Sequence, residues 1–190
     1  MKIYRYIAEF LFKKGIRDVF IIEGSASAGL VVGVSEIKGM NYYCNHHEQA
    51  GSFCVDAYAK TTGKVAAMIA TSGPGGQNTL NGIAASYYDS MPAIYLTGQI
   101  NSRFIKPSKK IRQHGFQEND IVSMSSPITK YSVMLTDPNM IDYEFKKAIY
   151  FAHEGRKGPV WIDIPLDIQN MRVETESIKK FSFKEKKFKC

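Results

Sequence analysis

Val65-Ala66-Ala67-Met68-Ile69-Ala70-Thr71-Ser72-Gly73-Pro74-Gly75-Gly76-Gln77-Asn78 decides the fold of this chain. Its first six residues are apolar without alternation, the pattern of a strand covered on both faces, and predict a strand over Val65–Ala70. The glycine-rich turn then opens a helix, Gly76–Tyr88. Outward from it the same rhythm repeats. Upstream, Ile3, Ile7, Phe10 and Leu11 recur at helical spacing, with Gly15 after the last turn as a C-cap. Asp18–Ile22 is a buried strand, Leu30–Val34 a second apolar segment, and Met40–Tyr43 a strand feeding a helix over His47–Thr62. Ala50, Phe53, Ala57 and Tyr58 are expected on that helix's packed face, and Gly63-Lys64 stops it. Downstream come a strand at Pro92–Thr97, a long irregular stretch from Gly98 to Asn119, and a strand at Ile128–Leu135. Asp137-Pro138-Asn139 caps a helix from Met140 to His153, and Val160–Ile164 is the last strand. Strands alternating with helices in this way predict an α/β fold: a doubly wound, mainly parallel six-stranded sheet with helices on both faces.

At 190 residues the chain holds one substantial core and is too short for two ordinary domains. Residues 1–170 form the expected domain and 171–190 a solvated basic linker or tail. That tail carries seven Lys/Arg against three Glu, which is +4 of the net +7, so the folded part is near neutral and no nucleic-acid partner is expected. No apolar run approaches the roughly 20 residues of a membrane span, so no membrane role is expected. Met1-Lys2-Ile3-Tyr4-Arg5 leads into an amphipathic pattern rather than a signal peptide. Cys44, Cys54 and Cys190 have no metal-ligand spacing and are expected as free thiols of a cytoplasmic protein.

The glycine turn lacks the Lys-Ser/Thr of a P-loop and is not GxGxxG. Glycines at a helix start let a flat or anionic ligand approach the backbone, though a tight packing turn needs them equally. His46 and His47 are adjacent, point in different directions, and are poorly placed to share a metal, so no metal ligands are expected. One of them is expected as a surface or cap residue. Glu48 opens the next helix, where a glutamate ordinarily complements the helix dipole. Here Ala50, Gly51 and Ser52 follow it, small residues that permit close packing around it, and a carboxylate in such a crowded place could hydrogen-bond a heteroaromatic nitrogen. Glu48 and Thr71 should lie on one rim, at the carboxyl ends of the strands.

His47-Glu48-Gln49-Ala50-Gly51, Ala70-Thr71-Ser72-Gly73-Pro74-Gly75 with Asn78, and Gly98-Gln99 resemble the pyrimidine-binding domain of thiamine-diphosphate enzymes of the acetolactate synthase-like branch. Gly115-Phe116-Gln117-Glu118, Ile128-Thr129-Lys130-Tyr131 and Gly158–Gln169 extend the resemblance from about residue 3 to 170 in the same order. The loop Ile111-Arg112-Gln113 is closer to synthase-like proteins of surface-polysaccharide pathways.

The resemblance implies that Glu48 hydrogen-bonds N1′ of the cofactor's aminopyrimidine and that Gly24, Ser25, Thr71, Pro74 and Asn78 line the ring's pocket. It implies that Phe116 and Gln117 reach the substrate, with Gln117 a catalytic residue beside Glu48. The implied reaction is decarboxylation of a small 2-oxo acid followed by carboligation. Where synthases carry Pro-Gly-Gly after the first strand, this chain has Glu23-Gly24-Ser25, which adds a carboxylate beside the pocket. No Gly-Asp-Gly with a downstream Asn occurs, so Mg2+ and the diphosphate are expected on a diphosphate-binding domain outside this sequence, and FAD is left open. The chain is therefore expected to be an inactive half on its own, most simply a fragment. A naturally split subunit of a 2-oxo acid decarboxylase, or a non-catalytic dimerisation or interaction module, are the alternatives. A homodimer or tetramer is expected.

Overall fold

The structure is a computed structural model and describes residues 1–108, 110–174 and 176–181. In chain order its elements are α1 (Ile3–Lys13), β1 (Asp18–Ile21), α2 (Ala28–Ser35), β2 (Asn41–Cys44), α3 (Glu48–Thr62), β3 (Ala67–Ala70), α4 (Pro74–Asn78), α5 (Leu80–Tyr88) and β4 (Ile94–Gln99). There follow α6 (Ile121–Ser125), β5 (Tyr131–Met134), α7 (Ile141–His153), β6 (Val160–Pro165) and α8 (Leu166–Asn170). The six strands form one parallel sheet in the order β2-β1-β3-β4-β6-β5. This is the expected doubly wound fold.

Strand residues alternate between two cores. Val19, Ile21, Ala67, Ile69, Ile94, Leu96, Val160 and Ile162 pack under α1, α2 and α7. Ala66, Met68, Ala70, Tyr95 and Trp161 pack with Val55 of α3, Ile83 of α5 and Ile121 of α6 on the other face. The inner strands β3, β4 and β6 are buried along their whole length, which is why they read as continuous apolar runs. Edge strand β2 is exposed at all four residues.

Several local expectations need correction. The packed face of α3 is Gly51, Ser52, Val55, Asp56 and Ala59, whereas Ala50, Phe53 and Ala57 face outward. The cause is backbone proximity: a Cβ on Gly82 of α5 would lie 2.2 Å from the Ser52 hydroxyl and 2.6 Å from its carbonyl carbon. Small residues therefore mark this contact, and apolar size does not. The buried Asp56 is satisfied by Ser86 (3.0 Å) and Lys60 (2.6 Å). The helix after the glycine turn starts at Pro74, whose missing N–H costs nothing in a first turn, and divides into α4 and α5 at Thr79.

Between residue 171 and Phe181 of the segment expected as a solvated tail, Met171, Arg172, Glu174, Lys179 and Lys180 are exposed, while three residues pack against the domain. Met1 and Val173 exchange hydrogen bonds, Val173 and Ile178 are buried in the first core, and Phe181 meets Tyr143 and Tyr150 of α7 edge-on or tilted. The rest of that tail, with Cys190, and Lys109 of the long irregular stretch lie outside the described residues. Among the described residues no helix is long and apolar enough to cross a membrane.

Candidate functional site

Sheet order creates a crevice at the carboxyl rim. β1 connects to β2 by α2 on the first face, while β3 connects to β4 by α4 and α5 on the second, so the chain diverges between β1 and β3. Such switch points are where open α/β sheets take ligands. Gly24 follows β1 and Thr71 follows β3, and they meet there. A Cβ on Gly24 would lie 2.4 Å from Thr71 Cβ and 2.7 Å from its Cγ2 and Oγ1. A Cβ on Gly75 would lie 2.7 Å from Thr71 Cγ2 and 3.5 Å from Glu48 Oε1. The absence of a side chain at Gly24 and Gly75 thus lets their backbones pack directly against Thr71 beside Glu48.

Glu48 is the first residue of α3 and half-buried. The helix start is fixed by His47, whose Nδ1 accepts from the Gln49 N–H at 3.2 Å, the capping role expected for one of the two histidines. Asn78, on α4, donates to Glu48 Oε2 at 3.0 Å, leaving Oε1 as the open acceptor of the carboxylate among the described residues. Close packing behind it is enforced at Gly51, where a Cβ would meet Met68 Cε at 2.8 Å and Asn45 Oδ1 at 3.1 Å.

Beside this cluster lies a cavity of about 450 Å³ lined by Ser25, Ala26, Ser72, Ile100, Asn101, Phe104, His114, Gly115, Phe116, Gln117 and Leu166. Phe116 is 82% exposed at its mouth. Gly73 (φ +61°) and Gln117 (φ +56°) are back to back, both in backbone conformations that favour glycine. A Cβ on Gly73 would meet Gln117 O at 2.7 Å. A non-glycine residue held there costs roughly 1–3 kcal/mol, so the surroundings must impose it. Glu118 does part of this. Burial opposes the charge of its carboxylate, but the N–H groups of His114 (2.8 Å), Lys106 (2.9 Å) and Gly115 (3.4 Å) outweigh that and hold it below the usual carboxylate range. Asn119 donates to the Gly73 carbonyl at 3.2 Å.

Between the paired strands β4 and β6 lies a fully buried polar group. Asp163 accepts from Thr97 Oγ1 at 2.7 Å and from Gln99 Nε2 at 3.0 Å, and Trp161 Nε1 donates to Thr97 Oγ1 at 2.8 Å. Burial pushes the Asp163 carboxyl up to about 7, against the lowering effect of Thr97 and Gln99, with Asp120 adding to the rise. Gln169 donates to the carbonyls of Ala26 and Ile164, each at 2.7 Å, holding the Ser25–Ser27 turn over the strand ends. Gly98 makes room for that turn, since a Cβ there would sit 1.9 Å from Ala26 O.

Of the residues singled out by sequence, Gly24, Thr71, Glu48 and Asn78 form one cluster around Gly75. Ser25, Phe116 and Gln117 line the adjoining cavity. Pro74 starts α4 exposed between the two groups. Sequence reasoning assigned no role to Gly75, Gln99, Glu118, Asn119 or Asp163. An aspartate inside the apolar run Val160–Ile164 was the available signal.

Fold and site together define a doubly wound α/β domain with a half-buried carboxylate, Glu48, at the switch point between β1 and β3. The chain belongs to the family described as thiamine pyrophosphate enzyme, N-terminal TPP binding domain, which it matches over residues 1–124. It is 37% identical over 158 residues to the acetolactate synthase large subunit of Buchnera aphidicola subsp. Schizaphis graminum, a match covering 83% of this chain and 27% of that protein. It is 35% identical to the Escherichia coli acetolactate synthase isozyme 3 large subunit (86% of this chain, 28% of that one) and 36% identical to the chloroplastic acetolactate synthase 2 of Nicotiana tabacum (88% and 24%). The chain thus spans about a quarter of the length of the curated relatives it matches.

Proposed function

We propose that this chain is the pyrimidine-binding half of a thiamine-diphosphate-dependent, acetolactate synthase-like enzyme acting on small 2-oxo acids. The observation that carries the reading is the half-buried Glu48 carboxylate at the β1/β3 switch point, tethered by Asn78 through Oε2, with Oε1 left as an acceptor where the backbones of Gly24 and Gly75 pack against Thr71. A half-buried carboxylate with one free acceptor oxygen at this switch point fits the pyrimidine part of the cofactor. When bound, thiamine diphosphate supplies the electron sink for decarboxylation and carbon–carbon bond formation. The chain's own contribution would be orientation and proton control: Glu48 Oε1 would hold the proton at the ring nitrogen, and Gly24, Ser25, Thr71, Pro74 and Asn78 would hold the ring's position. Phe116 and Gln117, which line the neighbouring cavity, would contact the substrate there, with Gln117 contributing to catalysis.

Residues 1–170 are the cofactor domain in this reading. Mg2+ and the diphosphate fall to a diphosphate-binding domain on the same polypeptide or on a separate subunit, so the chain alone is inactive. Pairing in a homodimer or tetramer completes the site. The cytoplasm is the matching compartment, supported by the free thiols of Cys44 and Cys54. In the complete enzyme, Glu48→Gln should lower turnover by roughly 10²–10⁴ while cofactor binding weakens but persists. Near-normal turnover in that variant would remove Glu48 from the mechanism.

A further inference from the structure

The Gln99 amide has a single satisfying orientation. Its Nε2 donates both to Asp163 Oδ2 (3.0 Å) and to the Asn119 carbonyl (3.1 Å), and its Oε1 accepts from the Ile100 N–H at 3.0 Å. Flipped, it would set oxygen against a carboxylate and a carbonyl, and nitrogen against an N–H. Asn119 in turn donates to the Gly73 carbonyl, and Gly73 lies against Gln117. An unbroken series of contacts therefore runs from a fully buried carboxylate in the sheet to the two positive-φ residues of the rim.

We propose that Asp163 and Gln99 are positioning residues: the Asp163 carboxylate sets the Gln99 amide, and through Asn119 that amide fixes the relative placement of the Gly73 turn and the Gln117 segment. The inference rests on the proposed function for what the rim binds, and on the contacts above for the linkage itself. Protonation of Asp163 turns the charge-assisted contacts from Gln99 and Thr97 into weaker ones to a neutral acid, which loosens the hold on the Gln99 amide. Because burial puts this carboxyl near neutrality, both states are accessible in ordinary buffers.

The test uses this chain without cofactor, so its failure is distinguishable from failure of the functional reading, which the Glu48→Gln turnover addresses. In ¹H–¹⁵N spectra, Asp163→Asn should shift the Gly73 and Gln117 amides and speed their hydrogen exchange at least about tenfold, leaving Val19 and Ile69 of the core unchanged. Asn119→Ala, which cuts only the last link, should move the same two amides. In the unmodified chain the Asp163 carboxyl carbon, the Gln99 side-chain amide and the Gly73 amide should titrate with one midpoint. Asp120, the charged group acting on Asp163 from the start of α6, and His114 on the cavity wall are followed in the same series so that the midpoint is assigned to the right group. A role confined to packing predicts no shared midpoint. Gly73 and Gln117 unmoved in Asp163→Asn would overturn the proposal. Should that variant not fold, unmoved amides in Asn119→Ala or separate midpoints would overturn it equally.

Discussion

Replacing Asp163 by Asn should flatten part of the pH dependence of folding. The carboxyl rises from an ordinary 3.8 to about 7 on burial, a difference of roughly 3 units. At 1.36 kcal/mol per unit this is about 4 kcal/mol, an upper figure for a group whose surroundings can relax. Its folded value lies above its unfolded one, so the native state binds the proton more tightly. The stability this group contributes is then fully present below pH 3.8 and is lost as pH rises to about 7. Asparagine cannot titrate. Urea unfolding of both proteins at half-unit steps between pH 4 and 8 should show the parent losing up to about 4 kcal/mol relative to Asp163→Asn by pH 7, with parallel curves above. Asp18, Glu118 and Asp167, which are held below their ordinary values, titrate in both proteins and cancel in the difference. Curves parallel throughout, or a parent that gains on the variant with rising pH, would refute the argument that burial dominates this site.

Gly24→Ala should destabilise the chain by roughly 1–3 kcal/mol by overpacking against Thr71, read as a fall in the urea midpoint; an unchanged midpoint would mean the two strand ends separate freely. Glu118→Gln should speed amide exchange at His114 and Lys106. It should also remove a stabilisation that the parent has above pH 4.5, the ordinary value for glutamate, and loses as pH falls through the lowered native value. Calorimetry of this chain with thiamine diphosphate and Mg2+ should show binding weaker than roughly 1 mM, under about 4 kcal/mol, because the charge-assisted diphosphate contacts lie elsewhere. Sedimentation should show self-association. Micromolar binding, or pyruvate decarboxylation without a partner, would contradict the half-site reading.

Much of the fold is legible because apolar runs and their stops are local. Val65–Ala70 and Val160–Ile164 read as inner strands since both faces of each are covered, and Gly63 (φ +68°) ends α3 where a left-handed residue is needed. Contacts made by the absence of a side chain were less legible. Gly51, Ser52 and Gly82 set the α3–α5 approach, and a scale that scores apolar size turns α3 the wrong way round. In the site, Glu48, Thr71 and Asn78 were found because their motifs are contiguous with strand ends. Gln99, Asn119 and Asp163 act on one another across separations of 20 and 64 residues, and no local pattern announces such a pair.

Seven of the buried polar side chains gather at the carboxyl rim: Ser27, Ser72, Thr97, Gln99, Glu118, Asp163 and Gln169. A buried polar group without a partner costs more than it contributes, so their concentration needs a reason. Most of the contacts they make are with the backbone of the rim. Glu118 gathers three N–H groups of the 105–115 segment, Gln169 holds the Ala26 carbonyl, and Gln99 holds Asn119 and Ile100. Loops over a ligand site cannot bury apolar side chains beneath themselves without filling the site, so they are fixed from below by polar groups on the strands. Asp163 shows what this costs. Its ionised form, which holds Gln99 in place, is the form that burial penalises, so the pH range that orders the rim is the range in which this group contributes least to stability.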